Sequence, residues 1–157
     1  MLTLDIEEYI NKLELVLGGF SAEMPSVLPI GRNSDGVDEL LLLEDFHYKT
    51  LRGTHITVKA GFVFDGASIP KCAWSIIGSP FSSTYIRSAL IHDILYVTEA
   101  FDREFCDKLF KEMLYQDRAA DWKVPLMYSA VRIGGGFVWD KHEPLKVKEY
   151  KKYIHVY

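Results

Sequence analysis

Apolar residues alternate in the first half of the chain and recur at helical spacing in the second, a pattern that predicts a small sheet followed by a helical core. Ahead of the sheet, Ile6, Tyr9, Ile10, Leu13, Val16 and Leu17 repeat at i, i+3, i+4 and i+7. With acids early and Gly18-Gly19 as the stop, residues 1–18 read as an amphipathic helix. Pro25, Pro29 and the run from Gly31 to Gly36 read as loop. Glu39 to Tyr48 and His55 to Phe64 are rich in Leu, Ile, Val and Phe and predict two strands, antiparallel and joined around Thr50 to Gly53. His47 and His55 fall on these strands without ligand spacing and read as surface or cross-strand residues. Asp65-Gly66 supplies a turn, and Ser68 with Pro70 suits the start of a short helix, Lys71 to Ile77, with Trp74, Ile76 and Ile77 inward and Gly78-Ser79-Pro80 as its end. Asp102 can cap a helix running from Arg103 to about Asp117, whose apolar arc holds Phe105, Cys106, Leu109, Phe110, Met113 and Leu114. A further helix enters at Asp121 to Pro125, carries Leu126, Met127, Ala130, Val131 and Ile133, and is expected to stop at Gly134-Gly135-Gly136. The tail, residues 140–157, reads as exposed. The expected fold is α+β in a single domain: a small antiparallel sheet of two or three strands within 39–64, packed on a helical core over 70–137.

The stretch from Tyr85 to Val97 departs from simple amphipathicity. On a wheel of about 100° per residue, Ile86, Ala89, Leu90, Asp93 and Val97 fall on one stripe, so a carboxylate sits amid an apolar face. Desolvating it without a partner costs several kcal/mol or forces it to take up a proton, so donors or a cation are expected to meet Asp93. His92 lies beside it and shares a face with Tyr96 at i, i+4, which lets imidazole and phenol project into one cleft. The connection Glu99 to Asp102 is short enough to make the next helix an antiparallel neighbour, bringing Asp107 opposite His92 or Tyr96. A carboxylate facing an imidazole orients a general base. Two other readings stand: His92 and Asp93 as hydrogen-bonded pegs of a core, and Asp107 as a solvated partner of Arg103 at i, i+4.

Composition narrows the classes. The chain has 157 residues, 48% hydrophobic and 13% aromatic, which suits a packed globule. Lys+Arg 18 against Asp+Glu 22 gives a formal net charge of -4, which offers no grip on a phosphate backbone and argues against nucleic acid as a partner. Cys72 and Cys106 have no metal-ligand spacing and read as small core residues of a reducing compartment. The N-terminus lacks a basic region before an apolar stretch, so it does not read as a secretory signal, and no apolar run reaches the ~20 residues of a membrane span.

Two resemblances follow from the motifs. Val58 to Pro70 (V-x-A-G-F-x-x-D-G-A-S-I-P), His92 to Tyr96 (H-D-x-L-Y) and Arg103 to Phe110 (R-x-x-x-D-x-x-F) resemble a family of small uncharacterised proteins common in phage and prophage genomes. That likeness implies a location in the bacterial host cytoplasm or the phage virion. The helix with H-D-x-x-Y followed by an antiparallel helix carrying an Asp is similar to the core of phospholipases A2. Carried over, that likeness implies His92 as the base for water, Asp107 as the carboxylate orienting it, Tyr96 as its hydrogen-bond support, Asp93 as a calcium ligand, and Asp65, Gly66 and Ala67 as a loop offering calcium further ligands. The cysteine framework and the Tyr-Gly-Cys-Gly loop of the secreted enzymes are absent from this chain.

Two functions are therefore expected to compete. One is a phage-encoded, calcium-assisted ester hydrolase acting on lipid or another ester. The other is a non-enzymatic virion or tail-assembly component that keeps the helix pair for stability and docks on other phage proteins. A metal-dependent phosphohydrolase built from His47 or His55 with His92, Asp93 and Asp107 or Asp140 is a poor third, because such sites are all-helical and His47 and His55 lie among strands.

Overall fold

The computed structural model describes residues 18–66, 68–82 and 84–157. The helix expected over 1–18 lies outside the described residues, apart from Gly18, and so do the side chains of Cys72, Ile76 and Ile77. The fold is α+β, with antiparallel strands mainly in the N-terminal half and helices after them.

The strands make two sheets rather than one. A four-stranded sheet has the order β1 (Gly19–Phe20), β4 (Phe46–Lys49), β5 (His55–Val58) and β7 (Ile154–Val156), and a three-stranded sheet runs β2 (Val27–Arg32), β3 (Asp38–Leu42), β6 (Val63–Phe64). Both segments read from the sequence as continuous strands break where the chain passes from one sheet to the other. The breaks are stitched together: the Asp45 carboxylate accepts from Ala60 N (2.9 Å) and Lys59 Nζ (2.6 Å), and Gly61, at φ 95°, donates to the Leu42 carbonyl. The β4–β5 hairpin turns at Thr50 to Gly53 as expected, with Lys49 opposite His55. His47 is a cross-strand residue, its Nδ1 2.8 Å from Thr57 Oγ1.

The tail is exposed as expected, with none of its residues buried, but it is ordered against the sheet. It folds as α5 (Pro144–Tyr150), a 3-10 turn over Lys151–Tyr153 and β7, which pairs with the free edge of β5 through Ile56 opposite Val156. An open edge strand is a liability, and the tail's alternating Ile154 and Val156 suit its closure.

The helices are α1 (Lys71–Ile77), α2 (Ile86–Thr98), α3 (Arg103–Gln116) and α4 (Lys123–Trp139), with α5 after them. Instead of burying one stripe, α2 is covered almost all round, from Ile86 through Thr98 with Arg87 and Val97 partly exposed, and is the central rod of the domain. A helix buried on every side gives no amphipathic signal. Asp102 caps α3 by accepting from Phe105 N at 2.9 Å. The expected stop at Gly134 to Gly136 does not occur, and α4 runs through to Trp139. These glycines let α4 approach its neighbours: a Cβ at Gly134 would lie 2.5 Å from Pro70 Cγ, and one at Gly135 2.5 Å from the Tyr96 hydroxyl. No helix among the described residues is long and apolar enough to cross a membrane.

Candidate active site

Elements remote in sequence deliver the polar groups that meet on α2. The cap at Asp102 sets the phase of α3 so that Asp107 points at α2, where its Oδ1 lies 3.0 Å from His92 Nε2 and accepts from the Tyr96 hydroxyl at 2.6 Å. From α4, Arg132 donates to Asp107 Oδ2 at 2.7 Å, and Arg103 Nη1 stands 3.5 Å from the same oxygen. Both the expected His–Asp juxtaposition and the i, i+4 pair therefore exist together. His92 and Asp107 are fully buried. Burial alone would push the Asp107 carboxyl up, but hydrogen bonds from His92, Tyr96 and Arg132 outweigh it and hold it below the usual carboxylate range. Burial lowers the pKa of His92.

The other ring nitrogen does not face water. His92 Nδ1 lies 3.0 Å from the hydroxyl of Ser68, on the loop between β6 and α1. Hydrogen-bond accounting then places the protons. An ionised Asp107 only accepts, so Nε2 carries the imidazole hydrogen and the lone pair on Nδ1 of the neutral ring faces the Ser68 hydroxyl. Ser68 was expected to open α1, yet α1 has no side-chain cap, and this hydroxyl is spent on the site instead.

Asp93, 3% exposed, is met by donors. Its Oδ2 accepts from Gly66 N at 2.7 Å, and its Oδ1 accepts from Ser68 N at 3.2 Å and from the Ser68 hydroxyl. Gly66 is required there, because its φ is 71° and a Cβ would press on Pro80 at 2.7 Å. Burial, reinforced by the neighbouring Asp65 charge, pushes the Asp93 carboxyl up to about 7 against the hydrogen bonds from Ser68 and Gly66. When Asp93 holds a proton it donates to Ser68 Oγ, and the hydroxyl's own hydrogen is free to point at His92.

This arrangement differs from the calcium loop that the resemblance implies. The loop turns N–H groups towards Asp93, and the Gly66 carbonyl is taken by Ile69 N at 3.0 Å. Asp65 accepts from Asn33 Nδ2 at 3.0 Å, and Ala67 lies outside the described residues. Calcium takes six to eight oxygen ligands. Among the described residues no three His, Cys, Asp or Glu side chains gather to hold a metal. Backbone N–H donors suit an anion, so these residues do not make a calcium loop of the expected kind.

A cavity of about 770 Å³ opens beside the cluster, with Asp65, Ser68, Asp93 and Tyr96 on its wall. Phe62, Phe64, Val97, Phe137 and Val138 give it apolar sides, and Lys141 and Lys146 also line it. His92 and Tyr96 do not share this opening: Tyr96 lines it, while His92 reaches it only through Ser68. A second cavity of about 330 Å³, around the Arg87–Asp117 ion pair, shares no residue with the first. Arg132 and the role of the Ser68 hydroxyl were missed in the sequence, Arg132 because its partner Asp107 lies 25 residues away on another helix and Ser68 because a serine before a helix reads first as a cap.

The proton on Asp93 has a measurable consequence. The unfolded carboxyl releases it near about pH 3.9, whereas the folded one holds it to about 7. The stabilisation is complete below the lower value and is lost as pH rises through the upper one. Asp93→Asn lacks this dependence, so its melting temperature relative to the parent should climb steadily from about pH 4 to pH 8. The opposing contribution of buried His92 is common to both proteins and cancels in the difference. A flat difference across that range would show that Asp93 is ionised throughout.

A family profile described as Protein of unknown function (DUF1353) matches residues 40–131, which include every residue of the cluster except Arg132. The chain is 34% identical over 94 residues to the uncharacterized protein y4jT of Sinorhizobium fredii (strain NBRC 101917 / NGR234), and 43% identical over 53 residues to the uncharacterized protein y4iH of the same strain. These alignments cover 60% and 34% of this chain but only 28% and 22% of those proteins. No solved structure matches the chain.

Proposed function

The chain belongs to the DUF1353 family, so its chemistry has to be read from the site, and we propose that it is a hydrolase of carboxylic esters with His92 and Asp107 as its acid–base pair. The observation that carries this reading is the unbroken line Asp107–His92–Ser68, with heavy-atom separations of 3.0 Å and 3.0 Å, ending at the wall of a cavity. His92 accepts the proton of the attacking group. Asp107, tied to Tyr96 and Arg132, holds the ring in the required tautomer and stabilises the imidazolium that forms. The apolar sides of the cavity suit an ester with a hydrocarbon acyl chain, as in a lipid. No step is routed through calcium.

The test is hydrolysis of a panel of p-nitrophenyl esters and short-chain phospholipids by purified protein, with His92→Gln as the control. Turnover by the parent that falls to background in the variant is the expected result. A parent that hydrolyses nothing, or a folded variant as active as the parent, ends the reading. Parallel assays with calcium and with a chelator report whether Asp65 and Asp93 take a cation during turnover.

A second reading, a non-enzymatic virion or tail-assembly component, is favoured by a different observation. Trp122, Leu126, Ile133 and Phe137 are exposed on one side of α4 at roughly helical spacing, as a surface that docks on other subunits would be. Its absence from purified phage particles and assembly intermediates would remove this alternative.

A further inference from the structure

We propose that Ser68 is the nucleophile of this site, with the backbone N–H groups of Gly66 and Ser68 as the donors that receive the developing oxyanion. The inference rests on the hydrolase reading and adds the identity of the attacking atom. Three observations converge on it. His92 is fully buried and does not line the cavity, and the ring nitrogen not committed to Asp107 faces Ser68 Oγ at 3.0 Å. In the resting site, the nucleophile that His92 can deprotonate directly is therefore this hydroxyl; the leaving alcohol and the water of the second half-reaction reach Nδ1 once the Asp93 side chain has moved aside. Ser68 itself lies on the cavity wall, where an ester can reach it.

The third observation is what occupies the loop amides. The Asp93 carboxylate sits on Gly66 N and Ser68 N at 2.7 Å and 3.2 Å while touching Ser68 Oγ. Each N–H group holds a different carboxylate oxygen, Gly66 N on Oδ2 and Ser68 N on Oδ1 beside Ser68 Oγ, and an acyl oxygen that replaces the carboxylate during attack would sit between the two donors. Asp93 thus holds the resting site closed, and substrate enters by displacing its side chain.

The chemistry balances without any further reagent. Ser68 Oγ bonds to the ester carbonyl carbon as its proton passes to His92 Nδ1, and the carbonyl oxygen takes the negative charge against the two N–H groups. The carbon–oxygen bond to the alcohol then breaks, and the alcohol leaves with the proton from His92. Water adds to the acyl carbon and gives its proton to His92. The bond to Ser68 breaks, Ser68 recovers the proton and the carboxylic acid departs.

The experiment uses a fluorophosphonate probe on the parent protein, read by intact mass and peptide mapping. One probe per chain on Ser68 is expected, with labelling about 10²–10⁴-fold slower in His92→Gln and faster in Asp93→Ala. Absence of label on the folded parent overturns the proposal, and so does label on another residue. Ser68→Ala, checked for folding by circular dichroism, separates the two readings. If it hydrolyses esters at the parent's rate, Ser68 is not the nucleophile although the hydrolase reading stands. If the parent is labelled at Ser68 yet turns over no ester tried, the nucleophile is supported and the ester reading fails.

Discussion

Asp107→Asn is expected to leave the protein folded while lowering turnover by about 10³–10⁴-fold, and Asp107→Ala to lower its stability by about 2–4 kcal/mol. The two substitutions separate what Asp107 holds together from what it orients. An asparagine can keep its carbonyl towards Arg132 and Arg103 and turn its amide towards His92 and Tyr96. Its two N–H groups then donate to His92 Nε2 and to the Tyr96 oxygen, so both stay tied to position 107, and the Tyr96 O–H hydrogen turns towards the cavity that Tyr96 lines. The imidazole must move its hydrogen to Nδ1, where it points at Ser68 Oγ and leaves no lone pair to accept a proton. The base is lost and the fold is not.

Alanine removes all of these acceptors at once. His92 is fully buried away from the cavity and cannot find water, whereas the Arg132 and Arg103 side chains are 30% and 25% exposed and can rehydrate in part, which keeps the cost short of that for a wholly buried charge. For a chain of this length the loss corresponds to roughly 5–15 °C in melting temperature. Calorimetry and ester kinetics on both variants provide the measurements. An asparagine variant that keeps more than about a tenth of the activity would contradict the tautomer assignment.

Neighbouring glycines of α4 are expected to respond with opposite signs. Gly→Ala inside a helix gains about 0.5–1 kcal/mol from backbone entropy. At Gly136 nothing opposes the gain, since a Cβ there meets only Arg103 atoms, at 3.9 and 4.0 Å, and Gly136→Ala should raise stability by that amount. At Gly135 the new methyl would meet the Tyr96 hydroxyl at 2.5 Å. Tyr96 cannot yield, because its hydroxyl is bonded to Asp107 and its ring is packed between His92 and Trp139, with centroids at 4.3 and 5.1 Å. Overpacking of about 1–3 kcal/mol outweighs the helix gain, so Gly135→Ala should destabilise and, by shifting Tyr96, also slow turnover. Gly134→Ala meets the rigid Pro70 ring at 2.5 Å and should destabilise without touching the site directly. Thermal melts of the three variants settle the matter. Equal effects at all three positions would mean that α4 is free to shift as a body.

Local signals determined a good deal of this protein unaided. The α+β class, the hairpin at Thr50 to Gly53, the cap at Asp102 and the meeting of His92, Tyr96 and Asp107 all follow from side-chain periodicity, turn residues and a connection too short for anything but antiparallel helices. Each depends on residues close in sequence, where spacing alone sets geometry. Tertiary structure decided the rest. The division into two sheets depends on the Asp45 staple to Lys59 and Ala60, and the closing strand β7 on a tail a hundred residues from its partner β5. The passage of α4 through its glycines depends on how closely Pro70 and Tyr96 come, and the arrival of Arg132 at Asp107 on how α4 packs against α3. The Asp93 carboxyl in an apolar stripe announced that a partner must exist. Only the folded loop showed that partner to be the amides and hydroxyl at Gly66 and Ser68, because a buried charge specifies the need for donors and leaves open which distant part of the chain supplies them.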